Sequence, residues 1–368
     1  MSYLDRAASL LDQIRAQGRY RAVRLREPTA GFVDFSSNDY LALAKDPQVV
    51  EAFRRATRVG SGGSRLLGGG HREHSLLEEE LAPWLGRERA LLFSSGYHAA
   101  LGAISVLART VDCIYSDALN HASLIDGIRG THVERIVFAH GALPPRAQRR
   151  EPALIVTESL FSMDGDAAPL QAMLADLGER DVLLIDEAHA LGVLGAHGAG
   201  LACELGDDPR VVVMGTLSKS FGAHGGFVAG PALLTDLLVN AARSFIFDTA
   251  LPPAIALAAR VALVLIREGE DRRAHLHDTV RHLRAGLRSL GIPAIDDPSP
   301  IVPVVLGSEE RALAMAHRLE ERRIHAPAIR PPTVPAGSSR LRLSVRADHQ
   351  REHVDLLVGT LQECIVTS

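Results

Sequence analysis

Lysine is almost absent from this chain: among 40 basic side chains, only Lys45 and Lys219 are lysines. A reaction that needs a side-chain amine therefore has two candidates. Lys219 stands in VVVMGTLSKSFGAHGGFVAG, where an apolar run ends in hydroxyls and glycines. An amine held there, away from bulk water or near other cations, becomes a usable nucleophile, and lysines that form Schiff bases occupy such places. Thr216 and Ser218 beside it can donate to phosphate oxygens. The plainer alternative, a solvated loop lysine, loses ground in a chain with so few.

A second stretch, VLLIDEAHALG at Val182 to Gly192, puts Asp186 at the carboxyl end of an apolar strand with Glu187 and His189 close behind. A carboxylate there can pair with a buried cation such as a protonated ring nitrogen, and an imidazole nearby can bond a phenolate oxygen. The same letters serve as the DEAH box of a nucleotide-driven helicase, or as a strand end with solvated charges. The helicase needs an upstream GxxxxGK[ST] loop. GSGGSRLLGGG at Gly60 to Gly70 has no lysine, and Arg65 stands where a GxGxxG fingerprint needs its third glycine.

In LLFSSGYHAALGAI, at Leu91 to Ile104, an apolar strand runs into a helix, so the amides of Gly96 and Tyr97 lie at a helix N-terminus that favours phosphate. An ordinary strand-to-helix turn reads the same way. His121 follows a strand and could reach the same sheet edge, but a lone histidine is more often a cap or a core residue. His71 and His74 lie one turn apart with no third ligand in view, so we read them as surface residues and expect no metal.

The elements that must position these groups are short apolar runs alternating with helical patterns. Strands are predicted at Ala90 to Phe93, Cys113 to Tyr115, Arg135 to Phe138, Leu154 to Thr157, Val182 to Ile185, Val211 to Met214 and Gly226 to Val228, with helices such as Tyr97 to Ala108 and Pro169 to Leu177 between them. This is the α/β pattern of a mostly parallel sheet, where ligands collect outside the carboxyl ends of the strands. From Pro252 the pattern changes to long helices, then strand, helix, strand, helix. Residues 1–46 read as an N-terminal helix and arm, 47–251 as a large domain and 252–368 as a smaller α/β domain. Pro331, Pro332, Pro335 and Gly337 mark a rigid loop.

A formal charge of −4 without like-charge blocks implies neither nucleic acid nor an anionic membrane as partner; small molecules fit better. The three cysteines are scattered without CxxC spacing. The apolar positions Leu4, Ala8, Leu11 and Ile14 suggest an amphipathic helix, not a secretory signal, and no run is long and apolar enough to span a membrane. A cytoplasmic location is expected.

Read in order, the strings FSSNDYLALA at Phe35, GSGGSRL at Gly60, FSSGYHAALGA at Phe93, NHASLIDG at Asn120, TESLFSMDGD at Thr157, DEAHALGVLG at Asp186, GTLSKSFGAHGG at Gly215, TALPP at Thr249 and AIRPPTVPAGSSRLRLS at Ala328 resemble the α-oxoamine synthases over nearly the whole chain. The resemblance implies a pyridoxal-phosphate-dependent transferase of fold type I, an α/β fold with a mostly parallel sheet in its large domain and a smaller C-terminal α/β domain. It implies that Lys219 holds pyridoxal 5'-phosphate and moves the substrate α-proton. Asp186 would meet the ring nitrogen, His121 would stack on the ring, His189 would contact the phenolate oxygen and Ser162 would lie nearby. The phosphate would meet Gly96, Tyr97, Thr216, Ser218 and, from a partner subunit of a homodimer, Thr249. Arg342 and Asn38 would grip the substrate carboxylate, with Arg19 (Arg21 fits the same segment), His121 and Thr333 completing the substrate set. The reaction implied is a decarboxylative condensation of an amino acid with an acyl thioester. SSNDY and RPPTVP point within the family to L-alanine and a pimeloyl thioester, carried on coenzyme A or a carrier protein; glycine or serine in place of alanine would make another synthase of the family. One departure stands out: residue 248 is Asp where the family commonly has a small hydroxyl, and a carboxylate beside a phosphate repels it.

Overall fold

In a computed structural model, which describes residues 1–21, 23 and 31–366, the chain forms two units: Ser37–Pro303 with Ser344–Val358, and Met1–Ser36 with Val304–Leu343 and Gly359–Ser368. It opens in the smaller unit with helix α1 (Tyr3–Ala16) and the two-residue strand β1 (Val33–Asp34). A capping box between Ser2 and Asp5 starts α1, and none of its residues is buried.

The larger unit is built on seven strands: β2 (Arg89–Phe93), β3 (Cys113–Asp117), β4 (Glu134–Phe138), β5 (Ala153–Glu158), β6 (Val182–Asp186), β7 (Val211–Thr216) and β8 (Gly226–Gly230), ordered β2-β8-β7-β6-β5-β3-β4. These are the seven stretches read as strands. All run in the same direction except β8, which is antiparallel to both of its neighbours, β7 and β2. Every residue of β5 and β7 is buried, as continuous apolar strands require when helices cover both faces.

The helices of this unit are α2 (Pro47–Arg54), α3 (Arg72–Trp84), α4 (Gly96–Leu107), α5 (Ala122–Arg129), α6 (Leu170–Ala175), α7 (Ala232–Ala241), α8 (Arg243–Ile246), α9 (Pro253–Glu268) and α10 (Glu270–Ser289). Ala99, Ala100, Ala103 and Ile104 of α4 join Ile114, Leu154, Val156, Leu184, Val212 and Val228 of the sheet in one apolar cluster. Burying each of the larger side chains contributes roughly 1.5–3 kcal/mol. The alanine-rich face of α9 packs on α2 and α3, which groups it with the larger unit although the sequence pattern changes at Pro252.

His74 corrects the reading of a surface residue. It is fully buried on the inner face of α3, and its Nε2 lies 2.6 Å from the Leu251 carbonyl. Burial lowers its pKa to about 4, so the neutral ring donates that bond. The histidine is a tie between α3 and the segment before α9.

In the smaller unit, β1 pairs in parallel with β10 (Ile324–His325). In the C-terminal part of the chain, β9 (Ile301–Gly307), β11 (Ala328–Ile329) and β12 (Ser339–Ser344) form a sheet ordered β11-β12-β9. Helix α11 (Glu309–Glu321) follows β9, and α12 (Arg351–Val366) is the last helix. No helix among the described residues is long and apolar enough to cross a membrane.

Candidate active site

Adjacent parallel strands of the larger unit end at the same level, which sets Glu158 of β5 in register with Asp186 of β6, and Asp186 with Met214 of β7. Beyond these ends lies a cavity of about 300 Å³. Its walls bring together Gly96, Tyr97, His121, Glu158, Asp186, His189, Thr216, Ser218 and Lys219 from five separate stretches of sequence.

One set of these lining groups suits an anion. Ser95 caps α4, its Oγ accepting from the His98 amide at 3.1 Å. That leaves the Gly96 and Tyr97 amides outside the helix's own ladder, at the positive end of its dipole. Thr216 and Ser218 add hydroxyls whose oxygens are 2.8 Å apart. Lys219 follows in a turn closed by Leu217 N–H to the Gly225 carbonyl (3.0 Å) and Gly222 N–H to the Lys219 carbonyl (2.8 Å). Gly222 has φ +60°, and a Cβ there would sit 2.1 Å from the Ala44 amide nitrogen, so the turn that presents the lysine needs glycine.

Another set is acidic. Asp186 Oδ1 accepts from the Ala188 amide at 2.9 Å. Glu158 beside it is 2 % exposed, and its Oε1 has no hydrogen-bond partner among the described residues. Burial, with Asp186 alongside, pushes the Glu158 carboxyl well above the usual carboxylate range. Burial of this kind favours the protonated form of the Glu158 carboxyl. Sequence reasoning passed over Glu158, although it stands in the TESLFSMDGD string; nothing local distinguishes it from a strand-end acid.

Two histidines flank the acid. His121 caps α5, with Nδ1 engaged by the Ser123 amide (3.2 Å) and hydroxyl (2.8 Å). Burial lowers its pKa, only partly offset by Asp186. A neutral ring pinned in this way presents a flat apolar face. His189 Nδ1 is 2.7 Å from the hydroxyl of Tyr40, which donates onward to Asn38 Oδ1 at 3.2 Å. Asn38 thus reaches the site through the fully buried Tyr40, another residue that spacing alone did not reveal.

The remaining candidates lie elsewhere. Ser162 is half-buried in the turn after β5 and is not among the cavity's lining residues. Thr249 is exposed and borders a separate small recess with Ser94, Asp248 and Ala250. Asp248 is held by Ser94 Oγ and by His98 Nδ1 at 2.8 Å, so its charge faces a histidine. Both partners meet the same ring nitrogen, which rules out a Ser-His-Asp relay. In the smaller unit, Arg342 is 4 % exposed on β12, the middle strand of its sheet, not an exposed position of an edge strand. Thr333 is exposed and accepts from Arg21 Nη2 at 3.4 Å, whereas Arg19 reaches Gln17 Oε1 at 3.3 Å.

An amide-and-hydroxyl cradle, a buried acid, a lysine and a neutral imidazole lining one cavity fit a ring that is cationic at nitrogen and anionic at its phosphate. Pyridoxal phosphate is such a group. A family profile described as aminotransferase class I and II matches residues 30–361. The chain belongs to that family and is a pyridoxal-phosphate-dependent acyltransferase of its α-oxoamine synthase branch. It is 46 % identical to an 8-amino-7-oxononanoate synthase of Methylococcus capsulatus, over 97 % of this chain and 98 % of that one. Among solved structures, it is similar to a serine palmitoyltransferase of Sphingomonas wittichii (TM-score 0.88, 31 % identity, 100 % and 98 % of the two chains). It is also similar to the 8-amino-7-oxononanoate synthase of Francisella tularensis (TM-score 0.79, 27 % identity, 92 % and 98 %).

Proposed function

We propose that the chain condenses L-alanine with a pimeloyl thioester to form 8-amino-7-oxononanoate, releasing carbon dioxide and the thiol carrier, as a step of biotin biosynthesis in the cytoplasm. The observation that carries the chemistry is the meeting of Lys219, Asp186, His121 and His189 in one cavity. Pyridoxal phosphate, when bound, supplies a sink for the negative charge that develops at the alanine α-carbon.

Within that frame each side chain has a task. The amides of Gly96 and Tyr97 and the hydroxyls of Thr216 and Ser218 hold the phosphate. Asp186 would hold a proton on the ring nitrogen of the bound cofactor, and the neutral His121 ring and His189, oriented by Tyr40, would hold the ring in place. Lys219 would hold the cofactor through its amine and, once free, would accept the alanine α-proton and later supply one to the product. Arg342 and Asn38 grip the alanine carboxylate; a guanidinium fork matches it with two parallel bonds. Thr333 with Arg19 or Arg21 meets the acyl donor, and the pairing of Arg21 with Thr333 favours Arg21. Ser162 serves the cofactor from the turn after β5.

Thr249 serves a partner subunit in a homodimer, in keeping with its place outside its own chain's cavity. Sedimentation equilibrium is expected to give twice the chain mass. A monomer that remains active would end that part of the proposal.

Borohydride treatment tests the cofactor assignment: the wild-type protein is expected to be yellow, to lose its visible band on reduction and to carry the label on Lys219. Lys219→Ala should bind no label and lose about 10²–10⁴-fold or more in turnover, the range set by removing a positioned acid or base. A colourless wild type in the presence of pyridoxal phosphate would overturn the assignment. A second reading, a serine palmitoyltransferase-like enzyme, is favoured by the higher TM-score of that relative. Offering alanine, glycine and serine against short and long acyl thioesters and following thiol release separates the two, because one methyl or hydroxyl in a pocket shifts selectivity by only about 1–3 kcal/mol.

A further inference from the structure

His140 belongs to none of the groups described so far. It follows β4 and lies between two carboxylates: its Nδ1 is 3.0 Å from Asp117 Oδ1, and its Nε2 is 2.6 Å from Asp166 Oδ2. Its ring meets Phe161 edge-on at 4.3 Å. An ionised carboxylate only accepts hydrogen bonds, and a neutral imidazole has a single N–H to give. Satisfying both contacts therefore calls for an imidazolium, with both ring nitrogens donating.

Neither acid lines the Lys219 cavity itself, but each lies on a segment that continues to or from a lining residue, His121 for one and Glu158 for the other. Asp117 ends β3, is 1 % exposed at its side chain, and shapes the following segment by accepting from the Leu119 amide at 2.8 Å and the Gly141 amide at 2.9 Å. That segment runs directly to His121. Asp166 closes the turn after β5, where the Phe161 amide donates to the Asp166 carbonyl and the Gly165 amide to the Phe161 carbonyl, both at 2.9 Å. That turn starts three residues beyond Glu158 and carries Ser162.

We infer that His140 is a positioning residue: as a doubly donating imidazolium it clamps the segment that presents His121 to the turn that follows Glu158 and carries Ser162. The inference deepens the proposed function and rests on the Lys219 cavity being the cofactor site. Asp117 and Asp166 are the charged groups that act on His140. Burial by itself lowers the pKa of this ring, but the two hydrogen bonds outweigh it and leave the pKa above its ordinary value. The clamp is therefore closed below that raised pKa, while both acids are ionised, and opens as pH rises through it, where one donor is lost.

The test combines nitrogen-15 NMR of the histidine rings with hydrogen exchange and cofactor binding, on wild type, H140Q and D166N. In the wild type, both His140 nitrogens should be protonated at neutral pH. Amides of residues 118–123 and 161–167 should exchange about tenfold faster in either variant, and the cofactor dissociation constant should rise about tenfold, the effect of losing one charge-assisted bond. Wild-type cofactor affinity should weaken across the His140 titration seen by NMR, while both variants lose that pH dependence. A singly protonated ring at neutral pH, or variants with wild-type affinity and pH profile, would overturn the inference. If H140Q does not fold, D166N, whose acid is 35 % exposed, carries the test. If the protein binds no pyridoxal phosphate at all, the functional reading fails on its own, while ring protonation and exchange still decide whether the clamp exists.

Discussion

Glu187 stands one residue past Asp186, yet it serves the scaffold. Its carboxylate is fully buried and accepts from Ser159 Oγ at 2.7 Å and from the Ala202 amide at 2.5 Å. Burial raises its pKa to about 7, against the opposing pull of those bonds. A carboxyl with a raised folded pKa stabilises the fold fully below its unfolded value, near 4.5, and that contribution is lost as pH climbs through about 7. Wild type is therefore expected to lose stability relative to Glu187→Gln by roughly 1.4 kcal/mol per pH unit across that window. Melting temperatures of both proteins at several values from pH 5 to 8 check this, and a constant difference would contradict it. The DEAH letters cannot separate the two acids, because their roles depend on which group each carboxylate meets after the strand ends. Asp186 lines the cavity and Glu187 fastens the loop that contains Ala202.

At the scale of elements, the approach of β8 to the start of α4 shapes the anion cradle. A Cβ on Gly226 would lie 2.5 Å from both the Cα and the amide nitrogen of Gly96. Backbone cannot yield as a flexible side chain can, so Gly226→Ala is expected to displace the α4 N-terminus. Overpacking of this kind costs typically 1–3 kcal/mol, and cofactor affinity should fall with stability. Ser95→Ala, which only removes the α4 cap, should cost about 1 kcal/mol in a denaturant midpoint experiment and leave the glycine contact intact. If Gly226→Ala held cofactor better than Ser95→Ala, the cradle would not depend on that close approach. The seven strands were legible in sequence because each is a short, almost wholly apolar run bounded by turn residues. The antiparallel direction of β8 was not, since a strand's own residues do not encode which way its neighbour runs.

For the whole molecule, the cavity is assembled from stretches far apart in sequence, so a bound cofactor must hold the larger unit together. A ligand that binds only the folded state at one hundred times its dissociation constant adds about 2.7 kcal/mol. Stripping pyridoxal phosphate with a carbonyl scavenger should lower the melting temperature, and adding it back should restore it in wild type more fully than in Lys219→Ala. An identical melting curve with and without the cofactor would mean that the cradle does not grip it.

What the sequence determined by itself was the chemistry available: a near-unique lysine among hydroxyls and glycines, an acid closing an apolar strand, a helix start rich in glycine and serine, and an ordered series of motifs shared with one enzyme family. Those features are local, set by side-chain type and by periods of two and 3.6 residues. Tertiary structure decided which candidates share a space. It placed Glu158 against Asp186, turned His74 inward, held Asp248 against His98 and put Arg342 on a middle strand. It also joined Asn38 to His189 through Tyr40. Each of these depends on strand register or on burial, and both come from elements far away along the chain, so no window of sequence contains them.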